Sequence, residues 1–101
     1  MNEFKSGVVT GTGAAINIEL GWIPDYVKVV NITDADQIDE WFNGMAAGTS
    51  IQTNAAVATR ATNGISAYAG TLGDKKKGFT IGSGISESAK ELRWFAIRGE
   101  D

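Results

Sequence analysis

The sequence predicts an all-β fold, a small antiparallel β-sandwich or barrel. Three observations carry that expectation. Short runs of β-branched and aromatic residues recur along the chain, the composition that suits a pleated, half-buried surface. Turn signals separate these runs at intervals of about 8 to 12 residues, the spacing of small β domains. Thirteen glycines among 101 residues are nearly twice ordinary usage and punctuate the chain throughout.

Val8-Val9-Thr10 reads as a first strand, closed by Gly11-Thr12-Gly13. From Ala14 to Leu20 the pattern alternates, with Ile16, Ile18 and Leu20 on one face and Asn17 and Glu19 on the other. Gly21 to Asp25 forms a corner around Pro24, the only proline, which fixes its own φ and biases Ile23 toward extended geometry. Tyr26 to Ile32 is apolar on both faces, as a central strand would be. Thr33 to Asp36 is a polar turn, and Gln37 to Phe42 reads as a strand ending at Asn43-Gly44, a hairpin signal.

Residues 44–61 are rich in Ala, Thr, Ser and Asn and show no clear period, which predicts an extended arm or wide loop with a short strand near Ile51. Asn63-Gly64 is a further turn, and Ile65 to Tyr68 a short strand. Gly70 to Lys77 reads as an exposed loop, and Phe79-Thr80-Ile81 as a brief strand between glycines. Ile85 to Lys90 reads as a polar connection. Leu92 to Ile97 closes the fold, with Leu92, Trp94 and Ala96 on one face and Phe95 and Ile97 on the other. Both faces being apolar points to burial against a second sheet or a neighbouring subunit.

The length fits one domain over residues 1–101 with a modest core. A net charge of −3 argues against a nucleic-acid or anionic-membrane partner, which selects for a basic stripe. The chain has no Cys, so it has neither disulfides nor thiolate metal sites. No stretch approaches a transmembrane length of about 18 apolar residues. Met1 to Lys5 lacks the apolar run of a signal peptide, so a cytoplasmic site of synthesis is expected.

Reaction chemistry is sparse. Histidine, the commonest acid–base group near neutral pH, is absent. Asp34, Asp36, Asp39 and Glu40 form the densest acidic group, but their spacing does not match a calcium loop, and a solvated turn is the plainer reading. A metal-assisted hydrolase using Asp34, Asp36 and Asp39 is a distant option. Gly11-Thr12-Gly13 lacks the third glycine and the Lys-Ser/Thr of a phosphate loop and reads as a plain turn. No catalytic residue, metal or cofactor is assigned, and the chain reads as a non-enzyme. Lys75, Lys76 and Lys77, the only basic run, suit a solvated loop or a salt-bridging partner contact. The aromatics Trp22, Tyr26, Trp41, Phe42, Tyr68, Phe79, Trp94 and Phe95 fit a core better than a sugar-stacking platform. For Trp22, in the corner, core lid and contact surface are equally open.

The run Leu20-Gly21-Trp22-Ile23-Pro24-Asp25-Tyr26-Val27-Lys28-Val29-Val30-Asn31 resembles a phrase of small tailed-bacteriophage virion proteins, where an aromatic-x-Pro-(Asp/Arg)-Tyr-Val corner opens a strand. The similarity continues through Glu40 to Ala46, then Gly64-Ile65-Ser66-x-Tyr68-x-Gly70, Lys77 to Gly82, and Leu92 to Arg98. In order, these cover most of the chain after residue 15. The resemblance implies a virion structural protein, foremost a capsid decoration (cement) protein that binds and stabilises the head lattice, or a head-fibre base. A tail- or fibre-associated module binding a virion partner or host glycan is the alternative; Trp22 or Trp41 would then be exposed for stacking. The implied partners are the major capsid protein or another virion protein and further copies of the chain, as a trimer or dimer. The implied location is the virion, after synthesis in the host cytoplasm. The residues expected to meet a partner are Trp22, Met45, Ile51, Val57, Lys75, Lys76 and Lys77.

Overall fold

Alternation of side chains, more than any single residue, builds this molecule. The computed structural model describes residues 3–34, 37–70 and 77–99. Eight strands follow in chain order: β1 (Glu3–Thr10), β2 (Ile16–Glu19), β3 (Tyr26–Asn31), β4 (Gln37–Phe42), β5 (Thr49–Asn54), β6 (Ala56–Tyr68), β7 (Gly78–Ile81) and β8 (Glu91–Arg98). They form one antiparallel sheet in the order β1-β8-β3-β4-β5-β6-β7-β2. In β3, Val27, Val29 and Asn31 are buried while Tyr26, Lys28 and Val30 between them are half-buried, the period of two that strands impose.

The sheet curls into a half-barrel. Phe79 of β7 and Trp94 of β8 pack edge to face with centroids 5.4 Å apart, although four strands separate them in the sheet. At the two ends of the order, Lys5 of β1 donates through Nζ to the Leu20 carbonyl just after β2, at 2.8 Å. The concave side holds the core: Leu20, Trp22, Val27, Val29, Trp41, Ile65, Phe79, Ile81, Ile85, Leu92 and Ala96. One end is plugged by the segment after β7. There Gly11 N–H donates to Lys90 O, Gly13 N–H to Ser86 O and Ala89 N–H to Gly11 O, and Ser86 is fully buried. No helix long and apolar enough to cross a membrane occurs among the described residues.

The all-β antiparallel expectation therefore holds, and β3, β4, β7 and β8 fall close to where the pattern put them. Three expectations change. The first strand begins at Glu3, not Val8, because Phe4, Ser6 and Val8 extend the alternation against β8. Residues 44–61 are not an arm: the short strand expected near Ile51 is β5, and it pairs with the first part of β6 in a hairpin that reverses at Ala55 with φ 62°. Its inward positions Ser50, Gln52, Ala58 and Arg60 are small or polar, which erased the hydrophobic alternation by which a strand is recognised. Asn63-Gly64 is a bulge inside β6, where the pairing slips from Ser50↔Arg60 to Thr49↔Ile65. That bulge packs backbone against backbone: a Cβ on Gly82 would lie 2.3 Å from Asn63 O, and Gly82 N–H donates to Gly64 O at 2.7 Å.

Candidate interaction surface

The inward set accounts for the core, and the outward set is where the molecule departs from ordinary surface chemistry. On β1, β8, β3 and β4 the register puts Phe4, Ile97, Tyr26 and Phe42 in one cross-strand row on the convex side. Phe95, one step along β8, fills the space between them. Phe4 and Phe95 meet with centroids 4.7 Å apart, Tyr26 and Phe95 at 6.3 Å, and Tyr26 and Phe42 at 5.0 Å, all tilted or edge to face. Two of these rings remain largely in solvent, Phe4 at 59% and Phe42 at 52% exposure. A sheet with one solvated face carries polar residues there. Aromatic rings in that position form an exposed apolar patch, the candidate contact surface of this chain.

A second row runs parallel to the first. Val8 lies opposite Arg93, Arg93 opposite Val30, Val30 opposite Ile38 and Ile38 opposite Thr53. At its far end Val30, Ile32, Gln37, Ile38, Thr53 and Asn54 line an open groove of ≈ 560 Å³. Val8 is 52% exposed and Ile32 43%. The two rows hold most of the apolar side chains of the convex side, with Arg93 within the second row and Ser6, Lys28 and Glu40 between the rows.

Polar groups fix the rows in place. The Tyr26 hydroxyl donates to Glu40 Oε2 at 2.5 Å across the β3–β4 pair. Burial first, then that hydrogen bond and the nearby negative charge, push the Tyr26 hydroxyl up to about 12 from an ordinary 10.0. Beneath β4, the fully buried Asp39 carboxylate accepts from Ser50 Oγ at 2.6 Å, Arg60 Nε at 2.9 Å and Gln37 Nε2 at 3.2 Å. These donors come from β4, β5 and β6, so the cluster ties the hairpin to the rest of the sheet and is satisfied internally.

The expected contact residues divide. Val57 is 70% exposed at the hairpin, and Ile51 is half-buried on the convex side, opposite Glu40 and Thr59. Both remain compatible with contact. Trp22 is a core residue at 5% exposure, its ring under the Arg98 guanidinium at 5.4 Å, so the corner turns it inward. Met45 packs against the core, its sulfur accepting from Phe42 N–H at 3.3 Å. Lys77 is half-buried, and its carbonyl accepts from Leu20 and Gly21 N–H. Lys75 and Lys76 lie outside the described residues, as does Asp36.

Trp41, at 1% exposure, is as deep as Trp22, so neither forms the stacking platform that a glycan module would present. Asp34 is bound to Asn31 and pairs with Lys90 at 3.1 Å, while Asp39 is buried with Arg60. Among the described residues, no three His, Cys, Asp or Glu side chains gather to hold a metal ion.

Sequence reasoning did not single out Phe4, Val8, Val30 and Ile38, and it assigned Tyr26 and Phe42 to the core; for Phe95, on the second face of the last strand, it left a second sheet or a neighbouring subunit open. The signal was present: Phe4-x-Ser6-x-Val8-x-Thr10 alternates, and continuing the face of Leu92, Trp94 and Ala96 inward leaves Phe95 outside. Comparison of the chain with protein-family models, curated proteins and solved structures finds no match.

Proposed function

We propose that this chain is a structural protein of a tailed-phage virion, a decoration or cement protein that binds the head lattice through the convex side of its sheet. The observation that carries the reading is the pair of apolar rows on β1, β8, β3 and β4, exposed in the single chain. Fully burying an exposed phenylalanine or valine gains about 1.5–3 kcal/mol, and covering Phe4, Val8 or Phe42, each a little over half exposed, gains roughly half of that. Part of that gain is offset by the cost of association. A lattice repeats the contact over many sites, so a modest individual affinity suffices to stabilise a shell. The virion assignment rests on the ordered phage-like phrases from Leu20 to Arg98. The chain acts in the virion after synthesis in the host cytoplasm, with the major capsid protein as its first partner.

The test is to add purified chain to undecorated capsids and count the copies bound per particle. Saturable binding at a fixed ratio to the coat subunit, lost on Phe42→Lys, is expected. Density for the chain in the tail alone, or no binding to capsids, would overturn the head assignment.

A further inference from the structure

We infer that β1 is a self-pairing edge: two copies of this chain join β1 to β1 about a two-fold axis at Ser6, extending the sheet across the pair. The inference goes beyond the proposed function, because it holds whether or not the convex side meets a capsid.

β1 is one of the two ends of the sheet and is eight residues long. The ladder shows which of its backbone groups are left over. The carbonyls of Ile97 and Glu91 accept from Asp25 and Ile32 N–H, so these β8 residues turn their backbone groups toward β3. Their partners on β1 are Phe4 and Thr10. In an antiparallel pair, opposed residues turn their backbone groups either both toward each other or both away. Phe4, Ser6, Val8 and Thr10 therefore point N–H and C=O at the free edge. Gly11 agrees, since its N–H and C=O are both engaged on the opposite side, with Lys90 and Ala89. Among the described residues, no backbone group pairs with the free edge of β1.

An exposed edge of this kind is a template for another strand. Its side chains select a second β1. Antiparallel pairing about Ser6 sets Phe4 opposite Val8 of the copy, and Val8 opposite Phe4. Both are more than half exposed in the single chain. Aromatic and β-branched residues directly opposite stabilise a sheet by about 0.2–1 kcal/mol per pair. Lys5 then faces Gly7, and no like charges oppose each other. Charged side chains, lysines above all, commonly guard an edge. Here the Lys5 ammonium is partnered within the chain, bound to the Leu20 carbonyl at 2.8 Å.

The two-fold also joins the two apolar rows. Phe42, Tyr26, Ile97 and Phe4 of one copy run on into Val8, Arg93, Val30 and Ile38 of the other. The exposed band thus becomes one continuous stripe across both protomers. An isologous contact of this type closes on itself and needs no further copies.

Sedimentation of the purified chain tests the inference. A species of twice the 10.7 kDa chain mass is expected, dissociating on dilution. Phe4→Lys and Val8→Glu should each raise the dissociation constant about tenfold or more. The double variant F4K/V8E, which sets opposite charges across the two-fold, should recover most of that loss. Both positions are exposed, and circular dichroism checks that the fold is kept. Independently, amide exchange at Ser6 and Val8 should slow as the chain is concentrated. A monomer at all concentrations, a trimer, or failure of the double variant to recover would overturn the inference, as would fast exchange at Ser6 in the concentrated chain.

Discussion

Asp39 shows how one buried carboxylate organises three strands. It is fully enclosed and receives donors from Gln37, Ser50 and Arg60. Removing one partner of a buried pair leaves a charge uncompensated, which costs about 3–5 kcal/mol. Arg60→Ala should lower the unfolding free energy obtained from urea titration by that amount, whereas the volume-matched double variant D39N/R60M should lose much less. Equal losses in both would show that packing, not charge, holds the hairpin. Tyr26 gives a second residue-scale test. Its folded-state hydroxyl is pushed up, so the protonated phenol is the favoured form in the fold. The stability this contributes is complete below the ordinary value of 10.0 and is lost as pH rises through about 12. The tyrosinate absorbance of wild type minus Tyr26→Phe should rise with a midpoint near 12; a midpoint near 10 contradicts the burial of the hydroxyl and its bond to Glu40. Neither interaction was legible beforehand. Asp39 stood in an acidic run that suggested a solvated turn, and Arg60 lies twenty-one residues away in a segment with no visible period.

At the scale of elements, legibility followed the chemistry of the inward face. β3 and β8 bury Val27, Val29, Leu92 and Ala96, so their alternation could be read directly. β5 and early β6 bury Ser50 and half-bury Arg60, and their outward positions carry Thr and Val, so neither face declares itself. The turn between them uses Ala55 at positive φ in place of glycine, which removed the usual sign of a hairpin. The same oversight changes an expected outcome. An arm spanning residues 46–59 would be dispensable for folding. A hairpin paired to β4 through Glu40↔Ile51 and carrying Arg60 at its base is not. Deleting residues 46–59 should therefore abolish cooperative thermal unfolding, and retention of a sharp transition would restore the arm. Gly82→Ala should also destabilise, because its Cβ would sit 2.3 Å from the Asn63 carbonyl. Shifting backbone to relieve such a clash costs about 1–3 kcal/mol.

For the whole molecule, one half-barrel serves two surfaces of different character. The concave side closes over Trp41, Phe79 and Trp94 and makes the fold. The convex side of β1, β8, β3 and β4 carries Phe4 and Phe42 largely in solvent, packed on the half-buried Tyr26 and Phe95. This division explains why the sequence announced too many core aromatics for a single curled sheet: half of them face outward. Under the proposed function it also separates stability from adhesion, so that Phe42→Lys should leave the melting temperature close to wild type while weakening binding to capsids. Hydroxyl-radical footprinting of the chain bound to particles tests that division most directly. The account predicts that Tyr26, Ile38, Phe42 and Phe95 lose reactivity on binding while Tyr68 on β6 and Ile18 on β2 keep theirs. Protection confined to β6 and β2, or none on the convex rows, would contradict it.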